Sequence, residues 1–120
     1  MPFLNPNHRG LAYGDGYMQG AGSCGQVVKL VGNDLFAVNT DPTAKSFGIL
    51  IKDYKNGEMP GIFCMGGVYE TDVFEGNINP NDDLKVSATG KLTAGVAAGD
   101  QVVARAISLS GGTLKFRLLI

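Results

Sequence analysis

The chain has 120 residues, 10 Lys plus Arg against 11 Asp plus Glu, a formal net charge of -1, and 18 glycines. That length makes one domain, with enough buried surface for a single core but not two. The balanced charge removes the basic excess that a nucleic-acid partner needs, and 18% charged residues is too few for a solvated, disordered chain.

The start, Met1 to Asn7, has neither a positively charged segment nor an apolar one. The longest apolar runs, such as Phe47 to Ile51, fall far short of a bilayer span. The expectation is a soluble chain outside the general secretory route, with no membrane partner. Cys24 and Cys64 are too few for a disulfide framework and read as reduced, partly buried thiols.

Residues 1–25 read as an extended, Gly-rich arm, and residues 26–120 as the folded domain. Six glycines between Gly10 and Gly25 argue against a regular element there. Phe3, Leu4, Leu11, Tyr13, Tyr17 and Met18 follow neither a helical nor a strand period. Such an arm is either a loose terminus or an extended chain anchored to a partner or to the body.

From Gln26 the texture changes to short β-branched runs between turn residues. Val27 to Val31 and Leu35 to Val38 flank Gly32-Asn33, which predicts a hairpin. Asn39 to Ser46 reads as loop, Phe47 to Ile51 as a strand, and Asn56-Gly57 as a turn. Ile62 to Met65 and Val68 to Phe74 read as one long strand with a bulge or bend at Gly66-Gly67. After a loop carrying Pro80, Leu84 to Ser87 and Lys91 to Thr93 flank a turn at Thr89-Gly90. Gln101 to Leu109 and Thr113 to Ile120 form the last hairpin, turned at Gly111-Gly112. Leu119 alone breaks the polar face of its second strand. No window supports a helix beyond a turn at Ala94 to Ala98. The whole predicts an all-β fold, a small closed or nearly closed β-barrel of about seven or eight short strands.

Candidate chemistry is thin. Gly20-Ala21-Gly22-Ser23-Cys24-Gly25 matches the dinucleotide fingerprint formally, but that motif needs a strand before it and a helix after it. Here a strand follows, so no cofactor is expected. His8, Cys24 and Cys64 lack ligand spacing for zinc, and Glu70, Asp72, Glu75, Asp82 and Asp83 lack the spacing of a calcium loop, so no metal is expected. The single histidine lies in the arm, where nothing rigid holds it against a nucleophile, and no catalytic residue is assigned. Lysines 29, 45, 52, 55, 85, 91 and 115 are spread among matching acids, which gives no funnel for phosphate.

The order of three segments carries a resemblance. Asn81 to Thr93 (NDDLKVSATGKLT), Gly99 to Ile107 (GDQVVARAI) and Leu114 to Ile120 (LKFRLLI) together resemble the capsid decoration, or cement, proteins of tailed bacteriophages. Gly48-Ile49-Leu50 and Gly66-Gly67-Val68-Tyr69 are similar to the preceding strands of that family. The resemblance implies a structural virion protein on the outer capsid surface, assembled in the host cytoplasm. It would bridge neighbouring major capsid protein subunits as a homotrimer, without catalysis or cofactor. It also implies Leu84, Val86, Leu92, Val102, Ile107, Leu114, Phe116 and Leu118 as barrel core, with Gly90 and Gly99 as turns. The arm then becomes the capsid-binding segment through Phe3, Leu4, Arg9, Tyr13 and Tyr17, by adding a strand to a sheet edge of the partner. The alternative is a small β-barrel binding module or a tail or fibre component.

Overall fold

A computed structural model describes residues 2–120. It is all-β, with no helix among the described residues. Eleven strands follow in order: β1 (Leu4–Tyr13), β2 (Tyr17–Met18), β3 (Val27–Gly32), β4 (Leu35–Val38), β5 (Gly48–Leu50), β6 (Ile62–Thr71), β7 (Phe74–Glu75), β8 (Asp83–Val86), β9 (Leu92–Thr93), β10 (Ala104–Ser110) and β11 (Thr113–Leu118). They make one mixed sheet, ordered β2-β4-β3-β5-β6-β11-β10-β8-β9-β7, with β1 paired to β6. The expected all-β class is met; of the small closed or nearly closed barrel of seven or eight strands, the closed form is corrected, since the eleven strands make one open sheet. Its ends, β2 and β7, each pair in parallel with a single neighbour, and β1 leaves a third edge uncovered.

The long strand β6 organises the sheet. Its first part pairs with β5 and its second with β11, both antiparallel, while β1 runs along it from Leu4 opposite Thr71 to Tyr13 opposite Ile62. Between the two parts Met65, Gly66 and Gly67 all have left-handed backbone, with φ of 58°, 82° and 101°. Two glycines make this bend accessible. Met65 enters it against the usual Cβ clash, at a cost of about 1 kcal/mol.

Residues 4–13, expected to hold no regular element, form β1, and the reason lies in where the glycine falls. A Cβ on Gly10 would overlap the Gly66 carbonyl, and one on Gly67 would overlap the Gly10 amide. The glycine thus permits the strand pairing at this point instead of preventing it. A bulge at Asn7 in β1, and Met65 and Gly66 of β6 set against Gly10 alone, let the two strands stay paired through the bend.

Both faces of the sheet are covered around β3, β5 and β6, which is why those strands read as continuous apolar runs. Val27, Ile49 and Phe63 face the larger cluster, with Tyr69, Leu84, Leu114, Phe116 and Leu118. Their neighbours Val28, Leu50 and Ile62 face a smaller one with Met18 and Phe36. The Tyr13 ring, on β1, lies 5.8 Å from the Phe36 ring on β4, although β6, β5 and β3 stand between them in the sheet. The sheet therefore curls tightly around the smaller cluster.

Of the expected core, Leu84, Val86, Leu92, Leu114, Phe116 and Leu118 are buried. Ile107 is corrected to a surface residue: Ala104 and Ala106 are buried, so strand alternation points Ile107 outward with Arg105, and the register shift after Ala106 turns Leu109 back towards the core. Val102 is half-buried, and the neighbouring Val103 takes the core position.

Candidate functional site

The five residues expected to meet a partner fall in three different settings. Leu4 is buried in the larger cluster. Phe3 is half-buried, and its backbone is pinned: its N–H donates to Asp72 Oδ1 at 2.9 Å and its carbonyl accepts from the Thr71 hydroxyl at 2.7 Å. Tyr13 packs edge-on against Phe36 and Phe47, and its hydroxyl donates to Asp34 Oδ1 at 2.6 Å. That bond to a carboxylate pushes the Tyr13 pKa up to about 12. Arg9 is exposed on the edge strand, its guanidinium 5.8 Å from the Phe63 ring centroid. Tyr17 is 64% exposed on β2, away from Arg9. The structure places Leu4, Arg9 and Tyr13 on β1, with Phe3 just before it, and does not bring all five to one place.

Tyr69 fastens that strand. Its hydroxyl, on a fully buried side chain, accepts from the Gly10 N–H at 3.1 Å and donates to the Gly66 carbonyl at 3.0 Å, linking Gly10 of β1 to the bend of β6. Burial pushes its pKa up, and the Gly10 N–H opposes that shift by stabilising the phenolate. Beyond this clasp, seven of the ten β1 residues are exposed and the strand's outer edge pairs with nothing among the described residues. Pro6 and the bulge at Asn7 interrupt that edge, which keeps it from templating indiscriminate strand addition.

A second feature lies beside it. Met65, at 69% the most exposed large apolar side chain, stands with Leu119, Ile120 and Arg117 around an open hollow of about 460 Å³. Leu11 is 59% exposed opposite Cys64 on the neighbouring strand. The sequence signals were the Met-Gly-Gly bend and the Leu119 break in the polar face; neither reveals that both side chains meet at one hollow.

A cavity of about 380 Å³ is lined by Ser23, Cys24, Gln26, Asp72 and Lys91 among others. Burial pushes the Cys24 thiol up, with the Asp53 and Asp72 charges adding to it, so at neutral pH it is a protonated donor to the Ile51 carbonyl. The formal dinucleotide motif has its amides committed: Gly22 exchanges both backbone bonds with Tyr54, and Gly25 donates to Leu50. Carboxylates pin loops, Asp41 to the Thr43 hydroxyl and amide, Asp82 to the Asn79 amide, and Glu75 to the Ser87 and Thr89 hydroxyls. Among the described residues no group of three or more His, Cys, Asp or Glu side chains could hold a metal ion.

Comparison with protein-family models and with curated proteins found no match to the chain.

Proposed function

We propose that the chain is a structural virion protein that decorates and cements the outer surface of a phage capsid, bridging neighbouring major capsid subunits as a homotrimer without catalysis. The reading is supported by the ordered run of three segments, Asn81 to Thr93, Gly99 to Ile107 and Leu114 to Ile120, that resembles capsid decoration proteins. The observation that carries it is β1. It is a ten-residue edge strand, exposed along most of its length and fastened to the body at Leu4, Gly10 and Tyr13. A fastened strand presents its contact groups already ordered, so binding does not carry the backbone-ordering cost of about 1 to 2 kcal/mol per residue that a loose arm would. Several copies on one symmetric assembly then bind through high effective concentration, reinforcing a shell mechanically.

Among the five candidates Arg9 gives the cleanest test, because its side chain is exposed and its replacement leaves the clusters intact. Wild-type protein is expected to co-sediment with undecorated, expanded capsids of its source phage to a saturating ratio. Arg9→Glu is expected to lose most of that binding while keeping its melting temperature within about 2 °C, as surface substitutions do. Wild-type protein that stays in the supernatant at saturating capsid would overturn the proposal.

A further inference from the structure

The chain holds a single Asn-Gly pair, Asn56-Gly57, in the segment that follows β5, and both residues are exposed. An asparagine amide is open to attack by the next residue's backbone nitrogen, and glycine, lacking a Cβ, shields that nitrogen least. Among the described residues, no other part of the chain lies within 4 Å of where a Gly57 side chain would stand. The Glu58 N–H donates to the Lys55 carbonyl at 3.1 Å, and φ is 85° at Gly57 but not positive at Asn56. That is a type II turn with Asn56 in its second position, where ψ is about +120°. Ring closure needs the Asn56 Cβ and the Gly57 nitrogen on the same side of the Asn56 Cα–C bond, which takes a ψ of the opposite sign. The closed turn therefore holds the reacting atoms apart. Three bonds fasten it to the β2 segment: the Gly20 N–H donates to Asn56 Oδ1, the Gly57 N–H to the Met18 carbonyl and the Met18 N–H to the Glu58 carbonyl, each at 2.8 Å. Within the turn, Glu58 Oε1 also accepts from the Lys55 N–H at 2.6 Å.

We propose that Asn56 is a self-modification site which the closed turn keeps latent and local opening of the turn exposes. Once the turn opens, hydroxide removes the Gly57 amide proton, the nitrogen bonds to Asn56 Cγ, and the Cγ–Nδ2 bond breaks with release of ammonia. Water then opens the resulting succinimide at either of its carbonyls, leaving aspartate or isoaspartate. Either product adds one negative charge to the formal net charge of -1. Aspartate restores the original backbone. In isoaspartate the main chain runs through Cβ and Cγ and is one atom longer, so Gly57 and Glu58 cannot both regain their bonds to Met18. Met18 is buried in the smaller cluster with Phe36 and Leu50, so the change loosens the β2 end of the sheet and leaves the larger cluster alone. The other asparagines precede Pro, His, Asp, Thr or Ile, whose side chains or missing N–H hinder the same attack. This site is independent of the cementing proposal, and its test uses no capsid.

The experiment follows amide-to-acid conversion of the full chain in mildly alkaline buffer by intact mass and peptide fragmentation, with isoaspartate detected by enzymatic methylation. Wild type is compared folded and in guanidinium chloride, alongside Glu58→Ala, which removes the exposed carboxylate that ties the turn, and Asn56→Gln. The denatured chain should convert at Asn56 first. The folded chain should convert there about tenfold or more slowly, because reaction from an open state is slowed by the opening equilibrium. Glu58→Ala should fall between the two with its melting temperature little changed, and Asn56→Gln should lose the early conversion. The isolated isoaspartate form should show faster amide exchange at Met18 and Gly20 with the larger cluster still protected. A folded chain that converts as fast as the denatured one would overturn the gating by the turn. Early conversion that persists in Asn56→Gln would overturn the site, and an isoaspartate form with Met18 and Gly20 still fully protected would overturn its effect.

Discussion

Tyr69→Phe isolates the bond that holds β1 to the body. The ring stays against Phe63 at 4.8 Å and Phe116 at 5.7 Å, so packing is preserved and only the hydroxyl is lost. That hydroxyl serves the Gly10 N–H and the Gly66 carbonyl together. At about 1 kcal/mol net per bond the substitution costs about 2 kcal/mol, less whatever water recovers at the strand edge. With an unfolding entropy of about 2.1 cal/mol/K per residue, the melting temperature falls by about 8 °C. The assay is thermal unfolding by circular dichroism with amide hydrogen exchange, in which Gly10 and its β1 neighbours should lose protection before the larger cluster does. A fall under about 2 °C with Gly10 exchange unchanged would refute the clasp, since a drop that small is less than half a net bond.

Three further predictions follow from the same region. Met65→Gly relieves a left-handed residue whose side chain is mostly in water, so it should raise stability by about 1 kcal/mol and the melting temperature by about 4 °C; a destabilised variant would show that the Met65 side chain packs in the free monomer. Leu11→Cys sets a thiol opposite Cys64 across the β1–β6 pairing, within the Cα separation a disulfide needs. After mild oxidation, denatured protein should titrate with one free thiol, Cys24; three free thiols would place β1 off this register. The Tyr13 pKa, raised from 10.0 to about 12, means that the folded state holds its proton longer than the unfolded state does. Its contribution to stability is therefore present below pH 10 and lost as pH rises towards about 12. Asp34→Asn should bring the Tyr13 titration, followed by tyrosinate absorbance, back towards the free value, and an unmoved titration would contradict the assignment of its cause.

Strand texture was legible where alternation or turn chemistry is local. Val27 to Val38, the Asn56-Gly57 turn, the bend at Gly66-Gly67 and the final hairpin at Gly111-Gly112 all stand close to where turn residues and apolar runs put them. The N-terminal segment was not legible, because its pairing depends on a partner some 60 positions away. Gly10 looks like a strand breaker alone and becomes necessary only against Gly66 and Gly67. Closure failed for a related reason: strand count says nothing about whether β1 meets β7, and here β6 takes β1 on one side and both β5 and β11 on the other. β10 shows the limit of pattern reading within a strand: with Ala104 and Ala106 buried Ile107 faces outward, and only the register shift after Ala106 brings Leu109, of the same alternation as Ile107, back to the core. Of the candidate contact residues, the apolar ones in the arm were the hardest to place. Leu4 and Tyr13 are attractive for a partner for the same reason that they fill this chain's own clusters.

The cementing proposal is tested most directly by the copy number of this polypeptide per purified particle of its source phage, measured by quantitative mass spectrometry against the major capsid protein. A ratio of roughly one to one, as full occupancy of symmetric shell sites requires, is the predicted result. A handful of copies per particle, or none, would contradict it.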